Sequence, residues 1–143
     1  GNALDTDAYD LYYLQLVVWD REARRLVGGY RLGPGDAILD RYGVQGFYTS
    51  SLFKFKAGFY PILGQAIELG RSFVTPEYQK HRLSLFLLWK GLMHFLVQHP
   101  RYRYLYGPVS ISRFYSDVSK SLIVEYVKQY CFDARRAGLV KPR

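Results

Sequence analysis

The sequence predicts a mixed α/β domain in which helices cover a sheet. Runs rich in β-branched and aromatic residues, which are typical of strands, occur at 12–19, 26–32, 66–74 and 102–106. An apolar run of 16 residues at 83–98 is too long for a strand and predicts a helix. A second helical pattern near the end of the chain completes the order strand, strand, variable segment, strand, helix, strand, helix.

The first two strands are predicted to form a hairpin. The charged run 20–25 is the turn between strand 12–19 and strand 26–32, and it is longer than a tight two-residue turn. The pair Gly28-Gly29 weakens the second strand and indicates either a β-bulge or the close approach of a ligand.

The segment after the hairpin is less regular in sequence. Residues 36–46 are predicted to form a short helix, and residues 47–56 fit either a strand or a helix. Ser50 or Ser51 is a candidate cap for a short helix there. Residues 58–64 are predicted to be a loop.

A strand, a polar loop and a helix then follow in succession. Strand 66–74 carries Glu68 and Arg71 among apolar or small residues, and loop 75–82 is basic near its end. Helix 83–98 is apolar around most of its circumference, so we expect it to be covered on more than one side. The first turn of such a helix has unpaired amides and suits a phosphate group.

The last third is predicted to add one strand and one helix. The strand begins at residue 102, is interrupted at Gly107-Pro108 and continues to residue 111. Ser112 or Ser116 can cap the final helix. Residues 134–143 are expected to be basic and irregular.

Composition describes a globular protein with an acidic partner. The 143 residues are most simply one domain, 1–143, and their net charge of +8 points to nucleic acid, anionic lipid or an acidic protein. The sole cysteine, Cys131, excludes an internal disulfide and fits a cytoplasmic protein. No stretch of the sequence is long and apolar enough to span a membrane.

Glu68 stands at a mostly apolar strand position, between Ile67 and Leu69. A carboxylate there is either paired or held where its charge is disfavoured, and the second environment would suit a general base that takes a proton from an amine. The alternative is an ordinary ion pair or a hydrogen bond into a neighbouring loop. The residues alone leave both interpretations open.

The run 79–84 (QKHRLS) supplies side-chain donors in front of a helix. It is neither a P-loop nor a dinucleotide fingerprint, because neither G-x-x-x-x-G-K nor G-x-G-x-x-G occurs in the sequence. Its simpler interpretation is a solvated basic turn. In its position between a strand and a helix, it resembles the acyl-CoA pyrophosphate loop of the GCN5-related N-acetyltransferase fold. Gln79 fits that pattern, whereas Arg82 and Ser84 stand where small residues are usual.

A narrower resemblance is to the ornithine-lipid-synthase type of N-acyltransferase, a group also labelled hemolysin. The pattern Glu68-x-x-Arg71 is similar, in addition, to the acyl-homoserine-lactone synthases. The resemblance covers about residues 7–142, and 86–91 and 107–112 look closest to Bacteroidetes-type members, which make amino-acid lipids. The runs that carry it are ELGRS at 68–72, V-x-P-x-Y at 74–78, LLWKG at 87–91, GGYR at 28–31, and GFY at 46–48 with Ser51.

This resemblance implies how the donor is bound. Strands 66–74 and 102–111 splay apart, and the donor's phosphopantetheine inserts between them and pairs with backbone near Phe73 and Val74. The donor is a fatty acyl group on acyl carrier protein, or acyl-CoA, and no cofactor stays bound. The residues implied to hold its phosphate are Gln79, Lys80, His81, Arg82, Leu83 and Ser84.

The resemblance also implies the reaction, the transfer of a long-chain acyl group to the amine of an amino acid such as ornithine or glycine in aminolipid synthesis. Glu68 would deprotonate the amine, directly or through a water. Tyr115 would protonate the leaving thiolate, and Arg71 would hold Glu68 or contact the donor or acceptor. No metal is expected.

Family members begin with a strand and helices before the first strand seen here, and they continue beyond residue 143. The resemblance therefore implies that this chain lacks both ends of the family's fold, with parts of the acyl and acceptor pockets. A fatty product is poorly soluble, so we expect delivery at the cytoplasmic face of a membrane. The basic residues of 134–143 could contact anionic lipid there.

Two rival functions remain open. One is a nucleic-acid-binding module, in which Tyr102, Tyr104 and Tyr106 would share a strand face and stack on bases. The RNP1 pattern is absent, so we expect no nucleic acid. The other is a non-catalytic domain of the same fold that binds acyl carrier protein or a membrane-bound partner.

Overall fold

A computed structural model describes residues 6–143 and contains a mixed sheet flanked by helices. The helices are α1 (Gly35–Tyr42), α2 (Thr49–Leu52), α3 (Tyr60–Leu63), α4 (Arg82–Gln98), α5 (Asp117–Tyr130) and α6 (Ala134–Ala137). The strands are β1 (Leu14–Asp20), β2 (Arg25–Pro34), β3 (Phe53–Phe55), β4 (Ala66–Val74), β5 (Tyr104–Tyr106) and β6 (Val140–Pro142). The main sheet has the order β1-β2-β4-β5, with β4 and β5 parallel, and β3 pairs with β6.

The predicted hairpin is confirmed, with a bulge beside Gly28. The register places Val18 opposite Gly28 and Trp19 opposite Leu26, so that Val27 is the extra residue. A side chain at Gly28 would lie 2.5 Å from the carbonyl oxygen of Phe73, so β2 and β4 approach too closely for any other residue.

Strand β4 spans the predicted residues and has a bulge of its own. Gly29 pairs with Phe73 and Arg31 pairs with Gly70, so two residues of β4, Arg71 and Ser72, lie opposite one residue of β2. Arg71 has a φ of 43°, in the left-handed region that non-glycine residues seldom adopt. The bulge bends β4 away from regular pairing midway along its length.

Strands β4 and β5 separate after a short parallel ladder. The pairing runs from Ala66 opposite Tyr104 to Glu68 opposite Tyr106 and goes no further. A side chain at Gly107 would lie 2.3 Å from the Leu69 carbonyl oxygen, so glycine lets the chain turn away. The predicted continuation of this strand at 109–111 is wrong, because the turn carries those residues off the sheet.

The core lies in two apolar clusters. Tyr13, Ile38, Phe47, Phe59 and Leu63 form one of them, and the other contains Leu32, Ile67, Leu92 and Tyr102. Side chains alternate along a strand, so Ile67 faces the cluster that includes α4 and Glu68 faces the opposite side of the sheet.

Helix α4 forms as predicted, but its expected burial on several sides is wrong for residues 6–143. Only one stripe at helical spacing is buried, and the apolar residues on its other faces are exposed because the sheet contacts one side of the cylinder. The buried stripe is Ser84, Leu88 and Leu92, and the exposed residues are Leu83, Leu85, Phe86, Trp89, Met93 and Val97. Helix α5 buries no residue, and Ser116 caps it as one of the two predicted candidates.

Three local predictions are wrong. The segment 58–64 is largely helical, since Pro61 is tolerated in the first turn of α3. Ser50 and Ser51 lie inside α2 and donate to the carbonyls of Phe47 and Tyr48 instead of capping. The segment 134–143 is ordered as α6 and β6. No helix within residues 6–143 is long and apolar enough to cross a membrane.

The stacking face of the nucleic-acid hypothesis is not exposed. Tyr102 is buried and its hydroxyl donates to Asp36 at 2.6 Å. The ring of Tyr106 packs edge-on against Phe55 and Phe59. These tyrosines serve packing, which is the usual role of aromatic residues in strands.

Candidate active site

Glu68 is a buried carboxylate with hydrogen bonds on both oxygens. It is 1% exposed and accepts the amides of Tyr48 at 3.1 Å and Thr49 at 2.6 Å, at the start of α2. The hydroxyls of Tyr13 and Thr49 also donate to it. Of the two interpretations of Glu68, the structure therefore shows hydrogen bonds into a neighbouring segment. A role as general base stays a prediction.

Two tyrosines lie close to Glu68 and keep their protons. Burial, followed by the negative charge of Glu68, raises the pKa of both the Tyr13 and the Tyr106 hydroxyl. Tyr106 also occupies the position directly opposite Glu68 in the parallel ladder. Tyr106 stands out in the sequence only as part of the alternative base-stacking face, and no motif singles out Tyr13 among the 14 tyrosines.

A cleft of about 790 Å³ opens where β4 and β5 separate. One wall is 69–72 of β4 and the other is 105–110, and Tyr48 and Trp89 also line it. Glu68 lies just inside the inner end, because Tyr48 and Tyr106 contribute to the cleft wall and lie beside Glu68. The predicted splay of the two strands is thus present and forms a cleft next to the predicted base.

A partly buried ion-pair network lies at the same end of the cleft. Arg31 is 2% exposed, and its Nη1 lies 2.7 Å from Asp7 and 3.0 Å from Asp10. Burial opposes the ionisation of Asp7, but Arg31 outweighs it, so the pKa of Asp7 is lowered. The backbone amide of Asp7 and then Arg31 lower the pKa of Asp10. No motif in the sequence singles out Asp7 or Asp10.

Arg71 joins this network from the bulge of β4. Its Nη2 lies 3.2 Å from Asp7, and its side chain is 36% exposed. Arg71, Arg31 and Asp7 all line the cleft. A signal for Arg31 and Tyr48 did exist in the sequence, because both lie in the GGYR and GFY runs that carry the family resemblance.

The predicted donor-binding residues follow the outer half of β4. Phe73 and Val74 pair with β2 on one edge, and the ladder with β5 ends before them, at Glu68. The Gln79 side chain donates to the Val74 carbonyl at 3.0 Å and so ties the loop to the end of the strand. This arrangement leaves the cleft-facing edge of β4 to an extended ligand.

The loop before α4 uses some of its own donors. The amides of His81 and Ser84 donate to the carbonyls of Tyr78 and His81, and Ser84 Oγ donates to the Tyr78 carbonyl. Arg82 and Leu83 begin α4, where amides have no partner four residues back within the helix. Lys80, His81 and Arg82 are exposed in front of that turn. Phosphate binding here stays a prediction.

Tyr115 lies apart from the cleft wall. Its side chain is 54% exposed, and its amide donates to the Ser112 carbonyl. Tyr106 lines the cleft, whereas Tyr115 does not. No group of three or more His, Cys, Asp or Glu side chains in the described part of the chain is placed to bind a metal ion.

The sequence matches one family of known proteins and resembles named acyltransferases. The model of the acetyltransferase (GNAT) domain family matches residues 1–90. A glycine N(alpha)-acyltransferase of Bacteroides thetaiotaomicron is 38% identical over 99% of this chain and 45% of its own length. A glycine N(alpha)-acyltransferase of Phocaeicola vulgatus is 35% identical over 93% of this chain and 44% of its own length.

An L-ornithine N(alpha)-acyltransferase of Agrobacterium fabrum is 35% identical over 66% of this chain and 33% of its own length. The chain therefore spans less than half the length of the curated relatives it matches. No solved structure shows a significant match.

Proposed function

This chain belongs to the acetyltransferase (GNAT) domain family, and on that premise we propose that it transfers a long-chain fatty acyl group to the α-amine of an amino acid. The observation that carries the proposal is the cleft between the separating strands, with Glu68 at its inner end. The relatives named for Nα-acylation of glycine and ornithine support the amino-acid acceptor. Synthesis of an aminolipid is the pathway role that this reaction would serve.

The donor is proposed to be an acyl thioester of phosphopantetheine on acyl carrier protein, with acyl-CoA as the alternative. The extended pantetheine lies between β4 and 105–110, against the backbone of Phe73 and Val74. Its phosphate lies at the run Gln79–Ser84, where Lys80 and Arg82 add positive charge. The same basic loop provides a docking face for an acidic carrier protein.

The proposed reaction is aminolysis of the thioester. The acceptor nitrogen loses a proton to Glu68, directly or through one water, and its lone pair attacks the thioester carbon. A C–N bond forms, the C–S bond breaks, and the thiolate leaves with the electron pair. A proton then converts the thiolate to a thiol, so that the amide and the thiol are the products.

Two tyrosines are candidates to protonate the thiolate. Tyr115 is the residue that the family resemblance suggests. Tyr106 is favoured by a specific observation, because it lines the cleft and lies opposite Glu68 in the parallel ladder. Burial and Glu68 raise the pKa of its hydroxyl, so the thiolate is a weaker base than the resulting phenolate. The proton would therefore pass to sulfur only as Glu68 returns the proton that it took from the amine.

The site of action is proposed to be the cytoplasm, with peripheral contact at the inner face of the membrane. The product carries a hydrocarbon chain, and each methylene group disfavours release into water by ~0.8 kcal/mol. The net charge of +8 favours an anionic surface.

The experiment that tests this function is detection of the product by mass spectrometry. The purified protein is incubated with palmitoyl carrier protein or palmitoyl-CoA and with isotopically labelled glycine or ornithine. The expected product is the N-acyl amino acid, with one equivalent of free thiol. Thioester loss without labelled amide would contradict N-acyl transfer, and amide formed only from acyl-CoA would contradict the carrier-protein donor.

A further inference from the structure

Two buried polar atoms without hydrogen-bond partners belong to residues that line the cleft. Within residues 6–143, the buried side-chain nitrogen and oxygen atoms that have no hydrogen-bond partner are Arg31 Nε and the Tyr106 hydroxyl. Both residues line the cleft between β4 and β5. A buried polar group without a hydrogen bond is destabilising, and native proteins retain few such groups. Their coincidence in one wall indicates a place for a polar ligand.

The guanidinium of Arg31 binds two aspartates through Nη1 and has one open edge, Nε–Nη2, which donates no hydrogen bond to the described residues. Nη1 donates to both oxygens of Asp7, at 2.7 and 2.9 Å, and to Asp10 at 3.0 Å. The other edge faces Gly70, where a side-chain carbon would lie 3.8 Å from Nε and 3.9 Å from Nη2. Apart from residues 69–71, no other described atom lies within 4 Å of this added carbon. The guanidinium carbon of Arg31 is therefore farther from it than either nitrogen, so the added carbon lies beside the Nε–Nη2 edge and not above the flat face of the group.

An edge with two parallel N–H groups matches a carboxylate, which accepts both in a forked arrangement. Asp7 and Asp10 hold the guanidinium from the opposite side and fix its orientation. Gly70 keeps the space beside the edge free of a side chain, and Gly70 itself lines the cleft.

Arg31 and Glu68 both contact the same tyrosine, Tyr13. The Arg31 guanidinium carbon is 5.2 Å from the centre of the Tyr13 ring, and the Tyr13 hydroxyl donates to Glu68. The same guanidinium is 5.8 Å from the ring of Tyr48, whose amide donates to Glu68. A ligand that carries a carboxylate and an amine on the same carbon fits such neighbouring groups.

We propose that the Nε–Nη2 edge of Arg31 binds the α-carboxylate of the acceptor amino acid and so selects α-amino acids over simple amines. This inference rests on the proposed function, because it places the acceptor amine on the Glu68 side of the cleft. Arg71, from the bulge of β4, adds positive charge to the same wall.

The variant that tests the proposal is Gly70→Ala. Its methyl group would lie 3.8 and 3.9 Å from the two nitrogens, an ordinary contact, so the free protein accommodates it. A carboxylate oxygen needs ~2.9 Å from each nitrogen and would compete for that space. Arg31→Ala is less useful, because it leaves Asp7 and Asp10 without their cation and endangers folding. The matched control is Gly64→Ala, whose added carbon also has no neighbour nearer than 3.8 Å.

Calorimetric titration without any donor gives a readout independent of turnover. Glycine and ornithine are each compared with their carboxamides, which keep the amine but lose the negative charge. At least one of the two amino acids should bind the parent protein at least about tenfold more tightly than its carboxamide does. The same amino acid should bind Gly70→Ala at least about tenfold more weakly than it binds the parent protein. The Gly64→Ala control should behave like the parent protein in both comparisons. Equal binding of amino acid and amide, unchanged binding by Gly70→Ala, or no binding of either amino acid would overturn the proposal.

The same variants in the acyl-transfer assay separate the two hypotheses. Charge-dependent binding without any acyl transfer would contradict the proposed function and leave the carboxylate site standing. Acyl transfer to the amino acid and its amide with equal KM would support the function and contradict the site.

Discussion

At the residue scale, the position of Glu68 explains how a charged group can lie inside the sheet. A buried carboxylate without partners would be strongly destabilising, but Glu68 accepts two amides and two hydroxyls. All four donors come from Tyr13, Tyr48 and Thr49, far from Glu68 in sequence. The same fixed donors hold the carboxylate in one orientation beside the cleft, as a catalytic base requires.

Glu68→Gln should lower both turnover and stability. Loss of a general base should reduce turnover by roughly 100-fold or more. The amide NH₂ would face the amide of either Tyr48 or Thr49, which cannot turn to accept, so unfolding free energy should fall by about 1–3 kcal/mol. Urea titration and initial rates measure the two effects separately, with exposed Glu77→Gln as control. A near-native rate in the folded variant would refute the assignment.

Tyr106→Phe should lower turnover without lowering stability. Removing a buried hydroxyl that has no partner should leave the melting temperature unchanged or raise it. If the hydroxyl protonates the thiolate, kcat should fall by about 100-fold while KM for the acceptor changes little. Tyr115→Phe is the matched comparison. A large loss with Tyr115→Phe and none with Tyr106→Phe would assign the role to Tyr115.

At the element scale, the cleft exists because two strands stop pairing at a defined residue. The ladder between β4 and β5 ends at Glu68 and Tyr106, and the chain leaves the sheet at Gly107-Pro108. Proline lacks an amide donor and cannot continue the ladder. The bulge at Arg71 and Ser72 bends β4 at the same level.

Gly107→Ala should therefore disturb the cleft. Its added carbon would lie 2.3 Å from the Leu69 carbonyl oxygen, which belongs to backbone and cannot move alone. We expect a loss of about 1–3 kcal/mol in unfolding free energy and a weaker donor interaction, measured by urea titration and by KM for the acyl donor. Gly64→Ala should be neutral or stabilising. Equal stability of the two variants would show that β4 and β5 are not constrained at Gly107.

The loop between β4 and α4 should act in carrier-protein docking. Lys80→Glu combined with Arg82→Glu should slow association with acyl carrier protein and flatten its dependence on salt, because steering between opposite charges is lost. Stopped-flow or surface-based association rates measure the effect. The control exchanges the exposed Lys54 and Lys56 for Glu. An unchanged rate in the loop variant would place the docking face elsewhere.

At the scale of the whole molecule, the protein combines a positive net charge with exposed apolar side chains. The net charge is +8, and α4 and α5 expose apolar side chains that include Phe86, Leu122 and Tyr126. The predicted basic tail is partly engaged in the fold, because Arg136 pairs with Asp133 and Arg143 donates to the Ser50 carbonyl. Membrane attachment would thus rely on the surface as a whole.

Liposome flotation tests this attachment. Binding should appear with vesicles that contain anionic phospholipid, fade as salt is raised and be absent with neutral vesicles, at ~1 kcal/mol for each basic residue near the surface. Equal recovery with neutral and anionic vesicles, or none with either, would exclude electrostatic attachment by this part of the protein.

The sequence by itself determined the strand–loop–helix order at 66–98, the hairpin before it and the candidate base. These features depend on local periodicity, on glycine and proline, and on one carboxylate in an apolar strand, all of which are legible in a short window. The family motifs added the splay of the two strands and marked the runs that contain Arg31 and Tyr48.

Only the tertiary structure decided which residues surround Glu68 and which edge of Arg31 is open. Asp7, Tyr13, Thr49 and Tyr106 come from four separate segments, and a pattern along the chain carries no distance between segments. The sequence also did not show that most of α4 is exposed, because an apolar helix has the same sequence pattern whether one side or several sides of it are covered.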